Sequence, residues 1–405
     1  MVEERYHRQT LIKGWNQDKI DNTSVAVIGS SRLSDFITVD LLSMGFGKIR
    51  RIGKSDFFDF EKINPSVKFE QLEESLSCKY AADFLIDDST IVVDATNDLD
   101  SKTYCYLSLS GKPKTFVSAS CSERAFEFCI NQDLEFLADF HSIEHWENQG
   151  NINSAICSAM VCDEIRKRVM PLSEDITLDA YRKEGFKEKK TLPVRILQIG
   201  AGATGTFSAV LLAQTNANVT IVDFDFVDES NLGRQFLFYD RVAKNKAEVL
   251  AERLKKYNES FKGYNSKVEG NFDTRGFDFI FCNVDNDKAR YFINESCKKY
   301  NIPLINGGSS IEGGEAMPYI PEKTSCLDCQ SGLALRKAIN ETSTRRGAAC
   351  FHPSIITSNQ IVGALMVDCL QRAIDKSYKK SSYVSGDGIY DEDIKEKCLT
   401  ECYAK

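Results

Sequence analysis

Nowhere in the 405 residues does an apolar run approach the roughly 18 residues that a membrane-spanning helix needs. The opening Met-Val-Glu-Glu-Arg lacks the basic and apolar stretches of a secretory signal, so a cytoplasmic location is expected. No block of like charge is present, and the net charge of -8 arises from 59 acidic against 51 basic residues. That balance excludes an electrostatic footprint for nucleic acid or for an anionic membrane, and any nucleotide must be held by a local site. Disordered, collagen-like and coiled-coil compositions are missing too, because 42% hydrophobic and 27% charged residues describe a soluble globular chain. Cysteine, by contrast, is plentiful, with 14 residues. A disulfide framework belongs to short secreted chains, and most of these cysteines sit singly inside apolar runs. Cys282, Cys297 and Cys369 therefore read as small buried hydrophobes.

A chain of 405 residues is too long for one ordinary core, and about 150 residues per domain suggests two or three. Two segments share a pattern. The first runs Ser24-Val-Ala-Val-Ile-Gly29, then a helix-like stretch to Met44, then Lys48-Ile-Arg-Arg-Ile52. The second runs Val194-Arg-Ile-Leu-Gln-Ile-Gly200, then Phe207 to Gln214, then Asn218-Val-Thr-Ile-Val-Asp223. Each is a strand, a turn, a helix and a second buried strand, which is a βαβ unit. Further buried strands are expected at Thr90–Asp94 and Thr115–Ser118 in the first half, and at Phe277–Phe281 and Pro303–Ile305 in the second. The expected fold is α/β, two tandem Rossmann-like doubly wound domains, one spanning residues 1–180 and the other 181–405. The polar stretch Leu172 to Leu192 reads as a linker or short exposed helix, with the boundary near residue 185.

Gly200-Ala-Gly202-Ala-Thr-Gly205 follows an expected strand and opens an expected helix, the context a phosphate-binding turn requires. Glycines let the backbone approach a phosphate, and the helix N-terminus offers unpaired N–H groups and positive dipole. Asp223 ends the next strand, where an acid accepts hydrogen bonds from ribose hydroxyls; by itself this suggests NAD. The residues after it argue for a triphosphate instead: Asp223-Phe-Asp225-Phe-Val-Asp-Glu-Ser-Asn231-Leu-Gly-Arg234-Gln235, then Asn245-Lys246-Ala247 leading into a helix. An Asn, an Arg and a Lys near the ribose acid supply the fixed cations and donors that a triphosphate's charge demands.

This run resembles the ThiF/MoeB/HesA superfamily, which includes the ubiquitin-activating enzymes. The likeness continues through Cys282-Asn-Val-Asp285-Asn286, Ala289-Arg290, Pro303-Leu-Ile-Asn-Gly307-Gly308 and Pro321-Glu-Lys-Thr-Ser-Cys326, over residues 194–372. By that resemblance Gly200, Gly202, Gly205, Asp223 and Asp225 belong to the ATP site. Asn231, Arg234, Gln235 and Lys246 surround the phosphates, with Lys244 as a substitute for Lys246, and Asp285 holds Mg²⁺. The implied chemistry is attack by a partner's C-terminal carboxylate on the α-phosphate, giving an acyl-adenylate and pyrophosphate. The implied partner is a ubiquitin-like or sulfur-carrier protein ending in Gly, with a conjugating enzyme as a further candidate and homodimerisation of the chain left open.

In the first half the turn reads Gly29-Ser-Ser31-Arg-Leu-Ser34, the next strand ends Ile52-Gly53-Lys54, and Asn97 stands as the counterpart of Asp285. Ser31 and Ser34 add Cβ atoms where a phosphate would approach, and the first half is expected to be a degenerate copy without nucleotide. Arg5-Tyr-His-Arg8-Gln9 resembles the family's opening, in which the second Arg reaches across a dimer to ATP phosphates. Arg8 is thus expected to complete the one working site in trans, making the chain an internal pseudo-dimer.

Cys326-Leu-Asp-Cys329 and Cys398-Leu-Thr-Glu-Cys402 form two close pairs suited to a structural Zn²⁺ with four thiolates, with buried or redox thiols as the alternative. Cys350 lies near Arg345, Arg346 and His352, just before an apolar helix from Ser358 to Ala373. Such a thiol should have thiolate character and can attack an acyl-adenylate, as the resemblance to compact activating enzymes also implies; an inert thiol is the alternative. His141 and His145 lack a third metal ligand and read as ordinary residues. Two other functions compete: peptide tailoring, in which a short peptide's C-terminus is adenylated, and a non-catalytic binding module.

Overall fold

A computed structural model describes residues 4–140, 150–186, 188–269, 272–340, 352–396, 398 and 402. The first sheet contains β1 (Ser24–Ile28), β2 (Lys48–Ile52), β3 (Lys68–Leu72), β4 (Ile91–Asp94), β5 (Thr115–Cys121), β6 (Ala125–Ile130) and β7 (Ala180–Glu184), in the order β3-β2-β1-β4-β5-β6-β7. The second contains β8 (Arg195–Ile199), β9 (Asn218–Val222), β10 (Lys262–Tyr264), β11 (Phe279–Cys282), β12 (Leu304–Ser309), β13 (Gly313–Tyr319), β14 (Lys379–Val384) and β15 (Gly388–Asp393), in the order β10-β9-β8-β11-β12-β13-β14-β15. In each, the first five positions are parallel with the same relative order, and antiparallel strands extend the far edge. The expected α/β fold with two doubly wound units is what the chain adopts. The central parallel strands β1, β4 and β11 are mostly apolar and buried, as strands covered on both faces are, whereas the outer β2 and β3 carry Arg50, Arg51 and Glu70.

Six helices frame the cavity and the seam between the halves: α1 (Arg32–Met44), α2 (Asn151–Val169), α3 (Ala203–Leu212), α4 (Lys246–Leu254), α5 (Asp287–Tyr300) and α6 (Ile356–Ile374). α1 and α3 open directly from the two turns after β1 and β8. α6 lies between α2 and α3, so helices from both halves form one layer, and one apolar core includes Phe36, Phe207 and Val362. Aromatic rings also cross the junction: Phe58 and Phe236 have centroids 5.0 Å apart, and Phe57 and Tyr257 4.6 Å. Within this layer Gln360 Nε2 donates to Asp40 Oδ2 (3.1 Å), to Ala155 O (2.8 Å) and to Ser158 Oγ (2.6 Å).

The stretch from Leu172 to Leu192 is neither a plain linker nor a helix. It contains β7, which pairs antiparallel with β6 and sets Tyr181 opposite Phe128. The cross-strand aromatic pair (6.2 Å between centroids) half-buries one face of an otherwise polar strand, which local polarity could not reveal. The change of sheet therefore falls between Glu184 and Arg195, after residue 180. β7 also meets the edge of the second sheet: the Ile389 amide donates to Tyr181 Oη (3.0 Å) and Lys183 Nζ to Ile389 O (3.1 Å). Cys282, Cys297 and Cys369 are buried as expected, and burial pushes their thiols up. Among the described residues no helix is long and apolar enough to cross a membrane.

Candidate functional site

The turn between β8 and α3 is built by three glycines with distinct jobs. Gly200 has φ +102°, and a Cβ there would lie 2.6 Å from Asn283 O. A Cβ on Gly205 would lie 2.4 Å from Gly200 O, so the helix could not close onto the turn. At Gly202 a Cβ would meet nothing within 4 Å, because this residue faces an open cavity. Gln198 Nε2 donates to Gly200 O (3.1 Å) and Gly205 O (2.9 Å), fixing the turn with a neutral amide. The first turn of α3 carries no acid, so its N–H groups keep their positive dipole for a ligand.

Asp223 stands just past β9. Its Oδ2 accepts from the Ala201 amide (2.6 Å) and its Oδ1 from the Asp225 amide (2.8 Å). Burial is the larger effect and pushes this carboxyl up despite both donors. Lys246, at the start of α4, pairs with Asp225 Oδ2 at 3.1 Å. Asn245 caps that helix through the Glu248 amide (3.1 Å), while its Nδ2 holds the carbonyls of Asp223 (2.9 Å) and Asp225 (3.1 Å). Lys246 lines the cavity, whereas Lys244 is absent from its lining and contributes its backbone to the β9–α4 connection.

The cavity measures about 1260 Å³. Arg234 reaches it from a nearly fully buried position, with Nη1 donating to Ser230 O (2.6 Å). Burial first, and then the neighbouring charge of Arg8, push its guanidinium down to about 9, with Asp228 opposing. Arg8 arrives from the other end of the chain: its Nη1 donates to His352 O (3.1 Å), and its carbonyl accepts from the Ser354 amide (3.2 Å). Burial lowers Arg8 as well, and the charges of Asp285 and Asp228 oppose it. Two desolvated guanidiniums with Lys246 beside them make an environment that favours an anion with several negative charges. Gln235 is buried on the same wall, and Asn231 accepts from the Asp228 amide (3.1 Å) through Oδ1. Asp285 is exposed at the cavity edge.

Three further contributors have no role assigned from sequence, although Arg290 belongs to the run that carries the family likeness. Arg290 donates through Nε and Nη2 to Val284 O (3.1 and 2.9 Å) and through Nη2 to Gly307 O (3.3 Å), tying the Asp285 loop to β12. Asn359 Oδ1 lies 3.1 Å from Thr204 Oγ1 and accepts from Ser309 Oγ (2.9 Å), and Asn359 Nδ2 donates to Ser354 Oγ (2.9 Å). Phe224 stands half exposed on the wall. An asparagine on the buried face of an apolar helix was the available signal for Asn359.

Away from the cavity, Cys326, Cys329, Cys398 and Cys402 bring their sulfurs within 4.8 Å of one another. A zinc ion bonded to four thiolates spaces its sulfurs roughly 3.8 Å apart, so this set fits one after a small contraction. The Cys326 amide donates to Cys398 Sγ (3.2 Å) and Lys298 Nζ to Cys402 Sγ (3.4 Å), the outer hydrogen bonds that thiolate ligands need. Cys350, His141 and His145, with Arg345 and Arg346, lie outside the described residues.

A model of the ThiF family matches residues 172–395, more than half of the chain. The chain is 30% identical over 179 residues to SUMO-activating enzyme subunit 2 of Dictyostelium discoideum, covering 42% of this chain and 27% of that protein. It is 33% identical over 158 residues to the NEDD8-activating enzyme E1 catalytic subunit of Caenorhabditis elegans, covering 34% of this chain and 37% of that protein. It thus spans well under half the length of these curated relatives. Among solved structures it is similar to E. coli MccB crystallised with AMPCPP and selenomethionine-labelled MccA, with 24% identity and a TM-score of 0.42 over 50% of this chain and 64% of that one.

Proposed function

The chain belongs to the ThiF family, and from that premise we propose that it is an ATP-dependent activating enzyme that adenylates the C-terminal carboxylate of a ubiquitin-like or sulfur-carrier protein. One observation carries this reading: Arg8 from the first half meets Arg234, Lys246, Asp223 and the Gly200–Gly205 turn of the second half on a single cavity. The domains divide after β7. The first is a degenerate partner that lends Arg8, and the second, ending in the cysteine cluster, binds and turns over the nucleotide.

Asp223 receives the ribose hydroxyls, the glycine turn receives the phosphate backbone, and Arg234, Lys246, Asn231 and Gln235 surround the triphosphate. Asp285 is the residue that would hold Mg²⁺, which supplies charge neutralisation between the phosphates. A carboxylate oxygen of the carrier attacks the α-phosphorus. An O–P bond forms, the bond from the α-phosphorus to the bridging oxygen breaks, and pyrophosphate leaves without any proton transfer. Both reactants are anions, so the barrier falls chiefly through alignment and preorganised cations, with each transition-state donor worth about 10²–10³ in rate. Cys350 then attacks the acyl carbon: a C–S bond forms, the C–O bond to AMP breaks, and the thiol proton passes to solvent. A conjugating enzyme is the natural acceptor of that thioester, and homodimers can form besides. Cys326, Cys329, Cys398 and Cys402 would hold a structural Zn²⁺, tying the segment that carries Cys398 and Cys402 to the one that carries Cys326 and Cys329. Singly buried thiols such as Cys282, Cys297 and Cys369 suit a cytoplasmic setting.

The test is ATP–pyrophosphate exchange driven by candidate carrier proteins, followed by non-reducing electrophoresis. A reductant-sensitive conjugate absent in Cys350→Ala is expected. Exchange with a short peptide that Cys350→Ala leaves unchanged would replace this reading with peptide tailoring, and failure of the wild-type chain to bind ATP would leave only a non-catalytic module.

A further inference from the structure

A second, smaller cavity lies on the seam between the halves and shares no lining residue with the larger one. At about 220 Å³ it falls below the roughly 300–1,000 Å³ of a drug-sized site, so it admits a molecule of about one ring. Part of its lining is apolar. Phe58 and Ile63 come from the first half, Phe236 and Leu237 from the second, and all four are buried. Apolar ligand surface placed against them leaves water, which is favourable.

The rest of the lining is charged, and its charges are unevenly matched. Glu252 Oε1 accepts from Arg241 Nη2 (3.1 Å), and Asp59 Oδ2 accepts from Tyr239 Oη (2.8 Å). Arg253 lies over the Tyr239 ring, 4.0 Å from its centroid, and pairs with Asp240. Lys256 is the exception: it forms no ion pair among the described residues, and its Nζ donates to Phe57 O (3.3 Å). The Asp59 carboxyl is lowered chiefly by the Tyr239 hydroxyl, and by Lys62 ahead of Lys256. Arg241, Arg253 and Lys256 against Asp59 and Glu252 leave the lining one positive charge in excess. An apolar wall beside a surplus cation selects a molecule with a hydrocarbon ring and a single negative charge.

We propose that this cavity is a second binding site, for a small organic monoanion of the arylcarboxylate class. A molecule seated there meets Phe58 and Asp59 of one half and Phe236 and Lys256 of the other, so its occupancy holds the halves together. The nucleotide reading of the larger cavity is not needed for this assignment.

Calorimetric titration of the full-length protein with sodium benzoate, benzyl alcohol and sodium acetate tests it. Saturable benzoate binding at millimolar concentration is expected, at least about 10-fold tighter than either control, since benzyl alcohol lacks the charge and acetate the ring. Benzoate should also raise Tm as its concentration increases, because it binds the folded chain alone. Lys256→Met is expected to lower benzoate affinity by roughly 5–10-fold and to leave benzyl alcohol unchanged, whereas Lys256→Arg keeps benzoate near the wild-type value. Saturating tripolyphosphate, which seeks the cations of the larger cavity, should not displace benzoate. Absence of saturable benzoate binding, equal affinity for benzoate and benzyl alcohol, an unaltered affinity in Lys256→Met, or displacement by tripolyphosphate would each overturn the proposal.

Discussion

The two halves place equivalent turns at equivalent strand ends and fill them in opposite ways. In the second half Gln198 braces the Gly200–Gly205 turn with a neutral amide, and α3 keeps its first turn free of acids. In the first half Ser31 caps α1, and Ser34 Oγ donates to Ser31 O (2.8 Å) and accepts from the Ser31 amide (3.0 Å). Arg51 Nη2 donates to Gly29 O (3.3 Å) and pairs with Asp35 Oδ1 at 2.7 Å, both side chains being buried. Asp35 sits in the first turn of α1, so that helix supplies its own carboxylate to its own dipole. Asn97, the counterpart of Asp285, is spent on the backbone of Cys121, donating to its carbonyl (2.8 Å) and accepting from its amide (3.1 Å). On the proposed reading of the first half as a degenerate copy, its turn is a case of internal satisfaction: Ser31, Ser34, Arg51 and Asn97 all find partners inside the fold.

The most severe way to break this contrast is Arg8→Ala, which removes the one residue of the first half that lines the cavity among the described residues. Pyrophosphate exchange should fall by about 10³-fold or more, the scale of an arginine supplied in trans, while thermal unfolding changes little. A loss below tenfold would mean that the first half contributes only scaffolding.

Copying the serines of the first turn into the second sharpens the comparison. Gly202→Ser adds a side chain to open space, so ATP affinity should drop roughly 10–100-fold with an unchanged melting temperature. Gly205→Ser drives a Cβ against Gly200 O, so it should cost about 1–3 kcal/mol of stability as well as nucleotide binding. Equal melting temperatures for the two variants would contradict the division of labour among these glycines.

The reverse experiment has a smaller effect. Ser31→Ala deletes the cap of α1 and should lower stability by about 1 kcal/mol, a few degrees in Tm, while ATP titration stays at the wild-type value. The smallest effect concerns the contact between halves. Burial, opposed by hydrogen bonds from Gln360 and Cys162, holds the Asp40 carboxyl well above its ordinary range. A raised carboxyl pKa costs stability as pH climbs from the unfolded value through the folded one, because ionisation then favours the unfolded chain. Asp40→Asn keeps an acceptor for Gln360 without that cost. Its Tm should match wild type at acid pH and pull ahead as pH rises; a gap that is constant with pH would assign Asp40 no titration.

The central parallel strands and the phosphate turn were legible because buried runs such as Val25–Ile28 and Ile196–Ile199 are short, mostly apolar and closed by glycine. β7 was illegible because its burial comes from residues 128 and 126 across the sheet, which no local window contains. At the site, Asp223, Arg234 and Lys246 sit on one sequence segment and could be read together. Asn359, Ser309 and Thr204 converge from three separate elements, so their meeting depends on tertiary packing alone. Arg8 was reachable only through the resemblance of the opening residues, since nothing local announces a contact with His352.

The layer in which α6 fits between α2 and α3 has a consequence for how the protein is made. On a ribosome adding about 5–20 residues per second, α2 emerges roughly 10–40 s before the last of α6. During that interval the apolar faces of α1 and α2 have no cover from their distant neighbour. The nascent first half is therefore a natural client for a holding chaperone until Gln360 arrives to complete the seam.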